Sequence, residues 1–182
     1  MLMLKIKIPA SQLFNEETEE FIYTKDTELS LEHSLVSISK WESKWHKPYI
    51  ETKEKTNEEL LNYIECMTIT QNVDPNVFKA IPEKEVTKIV DYINDPMTAT
   101  KFFDNKKQYG KKEILTAEII YYYMIKAGIP KECEKWHLNR LITLLRVFGE
   151  KDAPPKKMSK NDVLAQNRAL NAQRRAKMKS KG

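Results

Sequence analysis

The stretch Leu31-Glu-His-Ser-Leu-Val-Ser-Ile-Ser-Lys-Trp-Glu-Ser-Lys-Trp-His-Lys-Pro48 decides the fold class. Leu31, Leu35, Ile38, Trp41 and Trp45 recur three or four residues apart, which puts them on one stripe of an α-helix. The period changes from about Leu29, and Ser30 or Thr27 supplies a hydroxyl that can cap the start. Pro48 ends the helix, because proline lacks an amide hydrogen and drives the residue before it out of helical geometry.

Toward the N-terminus the period is two. Leu4, Ile6 and Ile8 alternate with Lys5 and Lys7, the pattern of a strand stopped at Pro9. Phe21-Ile-Tyr-Thr24 reads as a second short strand, with Asn15-Glu-Glu as the turn, so a small N-terminal hairpin is predicted.

Toward the C-terminus the signals are helical. Thr56-Asn-Glu-Glu59 is a capping box ahead of Leu60, Leu61, Ile64 and Met67. Asp74-Pro75 is a second helix start, and Pro82 opens a third helix carrying Val86, Ile89, Val90 and Ile93. Residues 97–115 read as a loop or a second hairpin. Thr116 is placed to cap Ile119-Ile-Tyr-Tyr-Tyr-Met-Ile125, with Gly128 at the C-terminal left-handed position. Pro130 is read as the start of a helix carrying Cys133, Trp136, Leu138, Leu141, Ile142, Leu144, Leu145 and Phe148, stopped by Gly149. Being apolar on nearly every side, it is expected to be the central, most buried helix.

The fold expected is mainly α (α+β): a helical domain over 1–150 with a small N-terminal β-hairpin, then a hinge and a basic C-terminal helical arm over 151–182. The 182 residues are 41% hydrophobic, enough for one core, and the four glycines leave few for phosphate-cradling loops or an all-β protein. Cys66 and Cys133 make no CxxC motif and no disulfide framework, which suits a reducing cytoplasm. No apolar run approaches the roughly 20 residues of a membrane span, and the apolar start is short and alternating, unlike a signal peptide.

Charge divides the chain unevenly. Residues 156–182 hold nine Lys or Arg and one acid, a net +8; the whole chain is +5, so residues 1–155 sum to −3. After Asp152-Ala-Pro-Pro155, Ser159-Lys-Asn-Asp162 reads as a capping box for a helix over about 160–178. Arg168, Arg174, Arg175 and Lys177 are its candidate partner-binding residues. Three readings stand for this arm: a phosphate-binding nucleic-acid arm, a helix docking on a protein groove, and a solvated extension. With no aromatic residue for base stacking, and with cations on all helix faces, nucleic acid is the lesser partner.

Motifs for chemistry are few. No Walker loop, Gly-x-Gly-x-x-Gly, Gly-x-Ser-x-Gly or His-Glu-x-x-His occurs. Cys133 and His137 stand four apart, the spacing of a metal-binding pair, but a structural zinc needs four ligands and the chain has no second spaced pair. Neither a metal nor a cofactor is expected, and Cys133 is read as core. Trp41 and Trp45, with Tyr49 close by, form an aromatic cluster that either fills the core or anchors a partner. Tyr121-Tyr-Tyr123 points three ways around a helix, so Tyr121 or Tyr122 is a further candidate anchor.

Several strings carry a resemblance. They are Leu31 to Pro48, Tyr63-Ile-Glu-Cys-Met-Thr68, Asp95-Pro-Met-Thr-Ala-Thr100, Ile119-Ile-Tyr-Tyr-Tyr-Met, Trp136-His-Leu-Asn-Arg-Leu-Ile142 and the arm from Lys157-Met-Ser-Lys to Asn167-Arg-Ala-Leu-Asn-Ala-Gln-Arg-Arg175. Over nearly the whole chain they resemble tail-module proteins of long-tailed bacteriophages of Gram-positive hosts, in particular the tail assembly chaperones. The resemblance implies a helical, non-enzymatic protein of the host cytoplasm, absent from the mature virion. Its partner would be the tape-measure protein, kept soluble until tail-tube subunits polymerise around it. It also implies other tail proteins or neighbouring copies as partners, no membrane, and no catalytic residues. Two rival readings remain: a structural protein of the tail or head–tail junction, and a nucleic-acid-associated phage protein acting through the arm.

Overall fold

The computed structural model describes residues 3–15, 19–102, 113–152 and 160–178. Two compact units divide the chain, residues 1–148 and 149–182. The first holds β1 (Leu4–Ile8), β2 (Ser11–Asn15), β3 (Glu20–Thr24), β4 (Thr27–Leu31), α1 (Leu35–Trp45), α2 (Asn57–Met67), α3 (Pro75–Lys79), α4 (Glu83–Asn94), α5 (Ala117–Lys126) and a 3-10 turn at Lys131–Lys135. Helix α6 (Leu138–Lys151) crosses the boundary, and α7 (Lys160–Met178) lies in the second unit. The fold is mainly helical with two small antiparallel pairs of strands.

The strands nest. β1 pairs with β4, Ile6 opposite Leu29 and Leu4 opposite Leu31; β2 pairs with β3, Phe14 opposite Phe21. This corrects the expected hairpin, in which the first strand met Phe21–Thr24. Residues 27–31, read from sequence as the approach to a helix, form a strand whose Leu29 and Leu31 are completely buried beside Ile6 and Ile8. Leu29 and Leu31 satisfy a period of two as well as Leu31 and Leu35 satisfy a period of four, and the cross-strand partner settles which wins. Between the two ladders Pro9 interrupts the pairing, and the Ala10 amide donates to the Asp26 carboxylate at 2.7 Å.

Helix α1 therefore starts at Leu35, not near Leu29. Ser34 is its N-cap, and the Ser34 amide donates to the Ser37 hydroxyl at 2.9 Å. Leu35, Ile38 and Trp41 are fully buried, so α1, and not the helix after Pro130, is the central helix. A buried carboxylate extends its reach: Glu42 accepts the Tyr49 amide and the Ala117 amide, both at 2.7 Å. It thereby satisfies the first turn of α5, whose Thr116 makes no side-chain cap. Burial pushes the Glu42 carboxyl above its usual range, although both amides pull it down.

Elsewhere the start signals hold. The Glu59 amide donates to the Thr56 hydroxyl at 3.2 Å and the Thr56 amide to the Glu59 carboxylate at 2.8 Å. Asp74 accepts the Asn76 amide at 2.9 Å, with Pro75 in the first turn of α3. Gly128 takes φ +65°, the left-handed conformation expected after α5.

The single helix expected after Pro130 is broken. Residues 131–135 form the 3-10 turn, Trp136 is extended, and α6 begins only at Leu138. His137 pairs with Ser34 in a β-bridge, and the Leu138 amide donates to the His33 carbonyl at 2.9 Å. That tertiary bond takes the backbone out of helical geometry where the sequence alone would continue it. Only Leu138 and Leu141 of α6 are buried, and Gly149 lies inside the helix. Most of residues 98–115, the Pro-Pro hinge and Ser159 of the arm's capping box lie outside the described residues.

Candidate functional site

Trp41 is the centre of the aromatic cluster, and it has no exposed surface. Its indole N–H donates to the Glu59 carbonyl at 2.9 Å, and its ring meets Tyr49 edge-on with centroids 5.2 Å apart. Buried in this way, Trp41 fills the core, the first of its two readings, and presents no surface to a partner. Trp45 is half-buried, its N–H held by Asn62 at 2.9 Å and the Lys44 ammonium over its ring. Tyr49 is buried too, stacked on Tyr63 at 4.0 Å between centroids and covered by the Lys55 ammonium at 4.2 Å. Burial raises the Tyr49 and Tyr63 hydroxyls well above the ordinary tyrosine value and lowers Lys55. The cluster ties α1, α2 and the segment between them together.

Beside it opens a cleft of about 700 Å³. Tyr49 and Ile50 form one wall, Leu60 of α2 another, Val90 and Ile93 of α4 a third, and Leu138 and Ile142 of α6 the floor. Leu60 and Val90 are 46% and 49% exposed, so apolar surface stands open at its mouth. Lys53, Glu54, Lys55, Asn94 and Asn139 add polar groups to the lining. Asn139 is already engaged, donating to the Ile93 and Asp95 carbonyls at the end of α4.

His33 borders the same cleft from inside. Its Nδ1 lies 2.5 Å from the Tyr63 hydroxyl, and its ring meets the His137 ring with centroids 4.9 Å apart. Burial, then the neighbouring His137, push the His33 imidazole down to about 3. His137 Nε2 lies 2.9 Å from the Tyr92 carbonyl; a carbonyl only accepts, so Nε2 carries the proton and Nδ1 is the bare nitrogen. That Nδ1 is buried without a hydrogen-bond partner, and burial lowers the His137 imidazole as well. Both histidines are therefore neutral at pH 7, structural links between α1, α2, α4 and α6. Cys133 lies in the 3-10 turn and His137 beyond it, so the two do not share a helix face. Among the described residues no three His, Cys, Asp or Glu side chains come together to hold a metal ion.

The tyrosine run of α5 does point three ways. Tyr121 is half-buried and donates to Glu134 at 3.1 Å; burial, then that bond, push its hydroxyl up to about 12. Tyr122 is 57% exposed, and Tyr123 donates to Glu113 at 2.7 Å. Exposed Ile125 completes a small apolar patch next to Tyr122 on α5.

In the second unit, every side chain from Val163 to Met178 is exposed, including Arg168, Arg174, Arg175 and Lys177. A further surface was not legible as such in the sequence. Phe14, Phe21 and Tyr23 stand exposed on one face of the β2–β3 ladder. The alternation Gln12-x-Phe14 and Phe21-x-Tyr23 was the available signal. No protein-family model, curated protein or solved structure matches this chain. Among the described residues no helix is long and apolar enough to cross a membrane.

Proposed function

We propose that the chain is a phage tail assembly chaperone, a binding protein and not an enzyme, that holds an apolar helical segment of the tape-measure protein. The observation that carries this reading is the cleft between α2, α4 and α6. Its walls are aliphatic and aromatic, Leu60 and Val90 stand nearly half exposed at its mouth, and Lys53, Glu54 and Lys55 supply polar groups beside them. An apolar helix face laid into such a groove removes its own and the groove's surface from water together, with polar groups closing the margin. The resemblance of the Leu31–Pro48 and Trp136–Ile142 strings to tail assembly proteins supplies the partner: α4, α6 and the residues after α1 build the cleft, and the second string crosses its floor.

Co-expression with the tape-measure protein of the same genome tests this. Soluble tape-measure yield should rise with the wild-type chain and fall back with Leu60→Asp/Val90→Asp, whose sites are open enough to leave the fold intact. No rise with the wild type overturns the proposal. Mass spectrometry of purified virions separates a chaperone, which should be absent, from a structural component of the tail, which would be present in fixed copy number.

A further inference from the structure

Residues 11–24 hold four acids, Glu16, Glu17, Glu19 and Glu20, and no base. Of these, Glu19 stands exposed just before β3, whose aromatic face is open. In the β2–β3 ladder Phe14 lies opposite Phe21 and Gln12 opposite Tyr23, so all four side chains share one face. Phe14, Phe21 and Tyr23 are 54%, 57% and 70% exposed, and the two phenyl rings meet with centroids 5.2 Å apart. The ladder has two strands and hence two unpaired edges. An isolated two-stranded ribbon is marginal in water, and an aromatic face left open on it is a surface to be covered.

The chain carries a helix of opposite character. Helix α7 holds Lys160, Arg168, Arg174, Arg175 and Lys177 against Asp162, a net +4, opposite in sign to the −4 of residues 11–24. Val163, Asn167, Leu170, Arg174 and Lys177 recur at helical spacing along one stripe, and Leu164, Arg168, Arg175 and Met178 along the next. Apolar and guanidinium groups thus alternate on one side of α7, the composition that covers aromatic rings by contact and by cation–π attraction. Val163, Leu164, Leu170 and Met178 are all exposed.

We propose that α7 of one copy of this chain docks on the outer face of the β2–β3 ladder of a second copy, the apolar stripe on Phe14, Phe21 and Tyr23 and the arginines toward Glu19 at the turn before β3. When both arms exchange, the contact closes as a two-fold dimer. Its attraction is between opposite charges at the surface and weakens with salt. This contact does not depend on what fills the cleft.

Sedimentation equilibrium on full-length chains tests it. Wild type should dimerise, with dissociation strengthening from about 50 mM to about 500 mM salt. Phe14→Ser/Phe21→Ser/Tyr23→Ser and Arg168→Glu/Arg174→Glu/Arg175→Glu should each be monomeric alone. Mixed in equal amounts, they should form a one-to-one heterodimer, because the first keeps its arm and the second its hairpin. Glu19→Lys, which spares the aromatic face, should weaken the dimer by about threefold or more if the hairpin triple variant proves misfolded by circular dichroism. A monomeric wild type overturns the proposal. So do variants that remain dimeric, and so does a mixture that stays monomeric, the result expected if each arm lies on its own hairpin. Loss of tape-measure rescue with the dimer intact would count against the cleft alone.

Discussion

The two strand ladders are built alike and end differently. Each is a five-residue antiparallel pair. In β1–β4 the apolar face, Ile6, Ile8, Leu29 and Leu31, is wholly buried. In β2–β3 the aromatic face stays in water. Strand propensity cannot tell them apart, because Phe and Tyr favour strands as strongly as Ile does. What differs is the cover. α4 packs on β1, and the chain after α2 pairs onto the end of β4 through Leu31 and Thr68 and through the Ile69 amide to the Ser30 carbonyl at 2.9 Å. An identical local conformation thus serves as core in one ladder and as surface in the other.

That contrast can be broken most forcefully from the buried side. Leu29→Ala should cost about 2–5 kcal/mol in chemical denaturation, the range for truncating a buried leucine. A loss below about 1 kcal/mol would mean that the β1–β4 face is not closed as described.

Acid is the next lever, because the residues that follow β4 include His33. Both His33 and His137 have folded-state values below the ordinary 6.5. The unfolded chain therefore binds protons first, and stability present above about 6.5 is lost as pH falls from there toward the lowered values. The slope should approach about 1.4 kcal/mol per pH unit for each histidine that titrates only on unfolding. Replacing His33 with Gln should flatten the profile between pH 6 and 4, and an unchanged slope would remove His33 as its source.

Smaller effects are expected on the open side. Phe14→Ser should change thermal stability by less than about 1 kcal/mol, the worth of one cross-strand aromatic pair, although it removes the same class of side chain. The contrast with Leu29→Ala, measured at a concentration low enough for the chain to be monomeric, is the test; equal losses there would show that the β2–β3 face is covered within the chain. Smallest of all, Lys5→Ser breaks an exposed contact of 3.7 Å to Glu28 and should move the melting curve by no more than about 0.5 kcal/mol.

Much of the fold was legible residue by residue. Thr56, Asp74 and Gly128 each act through atoms one turn away, so their spacing along the chain carries the whole interaction. The stripe of Leu35, Ile38, Trp41 and Trp45 is likewise local, and α1 follows it. Misreadings came where distant partners intervene. Leu29 and Leu31 went to a strand because β1 lay alongside, and the 130–148 helix broke because His33 and Ser34 bind the backbone at 137–138. Of the candidate contact residues, the arm's cations and Tyr122 are exposed, whereas Trp41 and Tyr49 are buried. An aromatic residue on a helix stripe looks the same whether its cover comes from its own chain or from another. The cleft was not legible at all, since Tyr49, Leu60, Val90 and Ile142 come from four separate segments.

The sequence by itself determined most of the helices, the capped starts at Thr56 and Asp74, the alternation of the first strand and the opposition between an acidic body and a basic arm, because each depends on residues within a turn or on a sum over residues. Only the tertiary structure decided which strand pairs with which, which apolar faces are closed and where the cleft opens. Burial is a property of what arrives from elsewhere in the chain, and no local pattern contains it.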